Sequence, residues 1–221
     1  MVAKRKRDDR YEDMENMEDM NPQDSNTCEY TIEELHRIPM TREAFELVMS
    51  VESPYHYEWI DGAIYDMTTS TPEHTDLVFN ITALFKDQLG KKGPCRVYHE
   101  QTVFIPDQPA VIPDVVVTCD VTDRDKKTRL KPFKIRSPLI VVEVLSPATE
   151  KFDRTEKFAR YKCCPSLEIY ILVNQYKQHV EVYQRIRDWQ PQHYTEGHIV
   201  QFDQFDLELP LDAIYEGVLP D

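Results

Sequence analysis

The apolar positions of this chain fall into two rhythms. Leu77, Val78, Ile81, Leu84, Phe85 and Leu89 recur at the 3.6-residue spacing of a single helix face. That stripe follows Ser70-Thr71-Pro72-Glu73-His74, a helix start with proline where the backbone N–H has no partner to lose. It closes at Gly90 or Gly93. A shorter helix is predicted from Thr41, with Phe45, Val48 and Met49 on one face and Pro54 ending it. Elsewhere the period falls to two, or the apolar residues run together. Residues 55–67 predict a hairpin turning at Asp61-Gly62, and 96–105 alternates as a strand. Residues 112–118 and 139–145 are almost wholly apolar, as in strands covered on both faces, yet each carries one acid, Asp114 and Glu143.

Downstream, 153–161 has a helical pattern. Residues 168–173 read as a strand, and 178–185 alternates and pairs with it through a turn at 174–177. Short antiparallel strands at the periphery are predicted near 188–194, 198–202 and 205–209, and 211–215 forms a last helical turn. The segment 120–137, rich in Asp, Lys and Arg, predicts an exposed, mobile loop.

Composition narrows the classes. A chain of 221 residues buries one good core, so residues 28–221 are expected to form a single domain. Residues 1–27 lack apolar periodicity and open with the basic block Lys4-Arg5-Lys6-Arg7, which predicts a disordered charged tail. No run approaches a membrane span and no signal pattern opens the chain, so the expected location is cytoplasmic. The five cysteines, Cys28, Cys95, Cys119, Cys163 and Cys164, contain no C-x-x-C pair and are expected to be free thiols. A net charge of −14 argues against a broad, sequence-independent grip on nucleic acid, which calls for a basic surface.

The chemistry gathers around the two acids. A buried carboxylate is costly unless a cation or hydrogen bonds compensate it. Two carboxylates on neighbouring strands suit Mg²⁺ or Mn²⁺, and a divalent cation suits phosphodiester cleavage, because it stabilises charge on phosphorus and acidifies an attacking water. Asp153, Lys157 and Tyr161 stand at i, i+4 and i+8 on one helix face, where Lys157 can stabilise developing negative charge. A surface Asp–Lys pair with a core-facing Tyr accounts for that spacing equally well. His179, His193 and His198 have no ligand spacing, and no chemistry is assigned to them.

Taken together, Pro113-Asp114, Glu143-Val144-Leu145-Ser146-Pro147-Ala148-Thr149, Asp153, Lys157 and Tyr161 resemble the bacterial putative restriction endonuclease family of the PD-(D/E)XK nuclease superfamily. Glu58-x-x-Asp61-Gly62, Pro72-Glu73-His74 and the closing Leu209-Pro210-Leu211-x-x-Ile214-Tyr215-Glu216-Gly217-Val218 extend the likeness over roughly residues 40–218. The resemblance implies an α/β restriction-endonuclease-like core: a central mixed sheet flanked by helices, with additional antiparallel C-terminal strands. It also implies Mg²⁺-dependent cleavage of DNA, by a homodimer.

On this reading Asp114 and Glu143 hold the metal. The position two residues after Glu143, where the superfamily has its lysine, is Leu145, so Lys157 on the next helix takes that role. Glu58, His74, Asp153 and Tyr161 are accessory candidates: a third carboxylate, a phosphate or water contact, an orienter of Lys157, and a packing residue. The competing readings are a catalytically inactive nuclease fold acting as a binding or assembly module, and a hydrolase of RNA or nucleotides.

Overall fold

The computed structural model describes residues 37–51, 56–66, 70–91, 93–125 and 132–220. The tail expected over 1–27 and the helix-closing Pro54 lie outside them. Two small elements open the described chain: strand β1 (Arg37–Pro39) and helix α1 (Arg42–Val48). The Thr41 side chain caps α1 by accepting from the Ala44 N–H, as its sequence predicts. The hairpin follows as β2 (Tyr57–Ile60) and β3 (Ala63–Asp66), and β1 joins it to give the order β1-β3-β2. Asp61 and Gly62 both take positive φ, 47° and 79°, which the tight turn demands and which Asp-Gly supplies at low cost.

The molecule is organised by a six-stranded sheet. Its strands are β4 (Arg96–His99), β5 (Val115–Thr118), β6 (Ile140–Leu145), β7 (Ile169–Asn174), β8 (His179–Gln184) and β9 (Pro191–Thr195), in that spatial order. Strands β6 and β7 run parallel and the other neighbours antiparallel, so the sheet is mixed. A parallel pair needs a crossover, and a helix over 150–162 (α4) provides it.

Alternation along the strands divides the core in two. Val115, Val117, Ile140, Val142 and Val144 face helix α2 (Pro72–Phe85), which continues through a π-helical turn at Lys86–Gly90. Its stripe, Leu77, Ile81, Phe85 and Leu89, is buried there, each side chain contributing about 1.5–3 kcal/mol. Strands β10 (Ile199–Phe202) and β11 (Leu207–Pro210) and the turn α5 (Leu211–Ile214) seal the same face. Asn80 fixes this closure by donating to the carbonyls of Ile214 and Glu216. On the opposite face Val116, Val141 and Leu145 pack with Phe158 and Tyr161 of α4. Among the described residues no helix is long and apolar enough to cross a membrane.

Three expectations are corrected. The strand expected over 96–105 stops at His99, because Glu100 turns the chain with φ 49°, and Val103 forms only isolated bridges to Val111 and Ile135. The loop expected over 120–137 contains a short helix, α3 (Val121–Arg124), capped by Asp120. Asp123 is buried at the end of α3 and accepts from Thr118 Oγ1 and from the backbone N–H groups of Arg136 and Ser137, which ties both ends of this segment down. Residues 126–131 lie outside the description.

The third correction concerns the cysteines. Cys95 and Cys119 are joined in a disulfide, because they flank the paired strands β4 and β5 one step beyond the Arg96↔Thr118 pair. Only tertiary pairing brings them together, since they stand 24 positions apart in the sequence. Cys163 and Cys164 are free thiols, and Cys28 lies outside the described residues.

Candidate active site

The β5–β6 register places the two acids. Val115 pairs with Val142, so one further step sets Asp114 opposite Glu143, both on the face covered by α4. Two hydrogen bonds lock the pair into the backbone: the Val144 N–H donates to Asp114 Oδ2 at 2.6 Å, and the Asp114 N–H donates to Glu143 Oε2 at 3.4 Å.

Helix α4 supplies the rest. Ser146-Pro147-Ala148-Thr149 turns the chain out of β6, and Glu150–Arg154 and Glu156–Arg160 ion pairs support the helix at i, i+4 spacing. Its middle, Asp153–Lys157, is a π-helical turn. An α-helix rotates residues i and i+8 apart by about 80°. A wider turn winds less per residue and takes much of that offset back, so Asp153, Lys157 and Tyr161 all face the acids.

Lys157 is the hub. Its side chain is 4% exposed, its ammonium donates to Glu143 Oε2 at 2.9 Å and to the carbonyl of Ile112 at 3.0 Å, and it forms an ion pair with Glu58 Oε1 at 3.0 Å. Asp153 Oδ1 lies 3.5 Å away. Tyr161 donates its hydroxyl to Glu143 Oε1 at 3.1 Å. Glu58 reaches in from β2 and also accepts from the Ile112 N–H, tying the small sheet to the chain just before Asp114. His74, in the first turn of α2, puts Nε2 3.3 Å from Asp114 Oδ2. All seven residues singled out in the sequence therefore meet in one place.

The electrostatics follow from four acids, three of them buried, around one buried lysine. Burial raises Glu143 well above the ordinary carboxylate range; Lys157 opposes this, while Asp153, Asp114 and Glu58 reinforce it. Burial likewise lifts Asp153 to about 6, against the pull of Lys157. For Lys157, burial disfavours the charge, but Glu143, Glu58, Asp153 and Asp114 outweigh it and hold the pKa well above the ordinary lysine value. Burial, then Glu143, raises Tyr161, which stays a neutral donor. His74 loses basicity to burial and regains more from Asp114, so it is raised.

The Asp153 shift predicts a pH effect on stability. In the metal-free protein the folded state keeps the Asp153 proton up to about pH 6, whereas the unfolded chain releases it near 3.8. The folded state therefore binds more protons between those values, and stability falls as pH rises through that window. The full loss, about 3 kcal/mol, is present at pH 7. Asp153→Asn removes this contribution. Urea unfolding in EDTA should show the variant gaining on the wild type between pH 4 and pH 7, and parallel curves would contradict the assignment.

The donor set suits a hard divalent cation. Four carboxylates outnumber the lysine, and the buried Glu58 Oε2 and Asp153 Oδ1 have no hydrogen-bond partner among the described residues. Asp114 is the most accessible of the four acids, at 20% side-chain exposure, and is the way in. Two clefts are lined by its neighbours. One of about 220 Å³ is lined by Ser70, His74, Phe79, His99 and Glu100, and one of about 280 Å³ by His56, Glu100, Ile112 and Lys134. Glu100, whose N–H donates to the Asp114 carbonyl, is the ridge between them.

Glu58 and Asp153, accessory candidates in the sequence with Asp153 as an orienter of Lys157, both lie beside the Lys157 ammonium. Sequence reasoning missed the Ile112 carbonyl and the π-helical turn altogether. A carboxylate among the apolar residues of β2 was the available signal for Glu58; the turn leaves none.

Comparison with known proteins agrees with this architecture. Residues 32–212 match the model of the Uma2 family, described as putative restriction endonuclease. An uncharacterized Synechocystis protein, slr1290, is 32% identical over 166 residues, spanning 73% of this chain and 84% of the relative. A second uncharacterized Synechocystis protein, sll1609, is 28% identical over 134 residues, or 60% of this chain and 74% of its own. In fold the chain is similar to the crystal structure of a putative nuclease belonging to DUF820 from Anabaena variabilis. The TM-score is 0.61 at 19% identity, covering 80% of this chain and 98% of that one.

Proposed function

Because the chain belongs to the Uma2 putative restriction endonuclease family, we propose that it is a metal-dependent endonuclease that hydrolyses DNA phosphodiester bonds. The observation that carries this reading is the opposition of Asp114 and Glu143 across β5 and β6, with Lys157 on Glu143. Asp114 and Glu143 would hold Mg²⁺ or Mn²⁺, with Glu58 and Asp153 in reserve around it. Such an ion supplies Lewis acidity toward the phosphoryl oxygens and acidifies a bound water.

The protein's own groups set the stage for that chemistry. Lys157 keeps Glu143 and Glu58 pointed at the site, and its ammonium stabilises negative charge on a nucleophile or phosphoryl oxygen beside them. Tyr161 and the Asp114 N–H fix the Glu143 carboxylate from two sides. His74, beside Asp114 at the cleft mouth, contacts a phosphate or gives up a proton there. A homodimer offering two sites to the two strands of a duplex belongs to the same reading and rests on the family resemblance.

The test is plasmid nicking by the full chain at low salt. Supercoiled DNA should be nicked with Mg²⁺ or Mn²⁺ and left intact in EDTA. If metal binds and no nucleic acid is cut, the inactive binding module takes this reading's place. If RNA or a nucleotide is cut instead, the site stands and the substrate changes.

A further inference from the structure

We propose that His179, Glu181 and His193 form a second cation site, for a transition metal of the Zn²⁺ class, at the β8–β9 edge of the sheet. The sequence separates these residues, but the strands converge them. His179 and Glu181 alternate onto one face of β8, and the β8–β9 register sets His193 directly opposite Glu181. His179 Nε2 and His193 Nδ1 stand 3.3 Å apart. A tetrahedral ion with Zn–N bonds of about 2.0–2.1 Å holds two imidazole nitrogens roughly 3.3–3.4 Å apart.

A proton shared between the rings produces the same spacing, so the third donor decides the matter. Glu181 lies close enough that one ligand atom from each of the three residues falls within 4.8 Å of the others. The carboxylate is rigidly presented: Arg154 grips it through two 2.8 Å hydrogen bonds, and Tyr183 donates to Oε2 at 2.9 Å. Burial grades from Glu181, inside, through His179 to His193, outside, which gives an ion an entry path.

The same neighbours set the choice of metal. The Arg154 guanidinium already balances the Glu181 charge, which leaves little net attraction for a hard cation held by oxygens alone. Two imidazoles favour Zn²⁺, Ni²⁺ or Cu²⁺ over Mg²⁺. This site is therefore complementary to the carboxylate site around Asp114, and it does not depend on the nuclease reading.

Calorimetric titration of the full chain with Zn²⁺ tests it. The titration uses the Asp114→Asn/Glu143→Gln background to silence the first site, with Cys163→Ser to remove the exposed thiol. One Zn²⁺ should bind, and His179→Ala and His193→Ala should each weaken it at least about tenfold without changing the far-ultraviolet circular dichroism. Substituted Co²⁺ should show d–d absorption without a thiolate charge-transfer band, and saturating Mg²⁺ should not displace the ion. Absence of Zn²⁺ binding, or binding that survives in the His179→Ala/His193→Ala double variant, overturns the proposal.

Discussion

Lys157→Met destabilises the protein by about 3–5 kcal/mol and abolishes nicking, yet leaves divalent-cation binding in place. The size follows from what the ammonium does. It is buried and satisfies Glu143, Glu58 and the Ile112 carbonyl at 2.9–3.0 Å. Removing one partner of a buried ion pair leaves its charges uncompensated, which is where the large cost arises. Methionine keeps most of the volume, so the loss reports charge and not a cavity. Two dependences identify the cause. The penalty should shrink toward pH 5, because Glu143 and Asp153, with raised pKa values, take up protons in place of the missing cation. It should shrink again on adding Mg²⁺, whose charge replaces that of the ammonium. Denaturant unfolding at pH 5 and 7, with and without Mg²⁺, reads all three. A loss independent of pH and Mg²⁺ would mean that Lys157 only fills space.

Glu143→Gln behaves in the opposite way, with little change in stability and at least about a thousandfold less nicking. Burial pushes Glu143 toward its neutral form, with Lys157 opposing it, so an amide there costs the fold less than removing the lysine does. The amide oxygen can still accept from Lys157, and its N–H can donate to the Tyr161 hydroxyl oxygen once that O–H rotates away. Cation binding, by contrast, needs the carboxylate. A Lewis acid lowers such a barrier by several kcal/mol, and each 1.36 kcal/mol is about a factor of ten in rate. Asp114→Asn should match it in activity. The check is a pairing of calorimetric Mg²⁺ titration with the nicking assay. Normal cleavage by Glu143→Gln would remove Glu143 from the metal site and leave it a structural acid.

Much of this architecture was legible because it is written in short-range pattern. The 3.6-residue stripe on α2, the Asp-Gly turn and the unbroken apolar runs of β5 and β6 depend only on neighbours in the chain. A lone acid in each run was legible for the same reason. What failed to show were features whose cause is distant: the Cys95–Cys119 bond, the Asp123 anchor that holds 136–137, and the turn at Glu100 that cuts β4 short.

The sequence by itself determined which residues are expensive to bury, and hence that Asp114 and Glu143 need partners. Tertiary structure decided who those partners are. Sheet register set Asp114 against Glu143, the β6–β7 crossover dropped Lys157 onto Glu143, and the hairpin delivered Glu58 to the same ammonium from about a hundred positions earlier in the chain. The same register gathered His179, Glu181 and His193 out of residues with no ligand spacing. Side-chain chemistry is local and can be read one residue at a time. Desolvation and Coulomb energies depend on separation in space, which strand pairing fixes and chain order does not reveal.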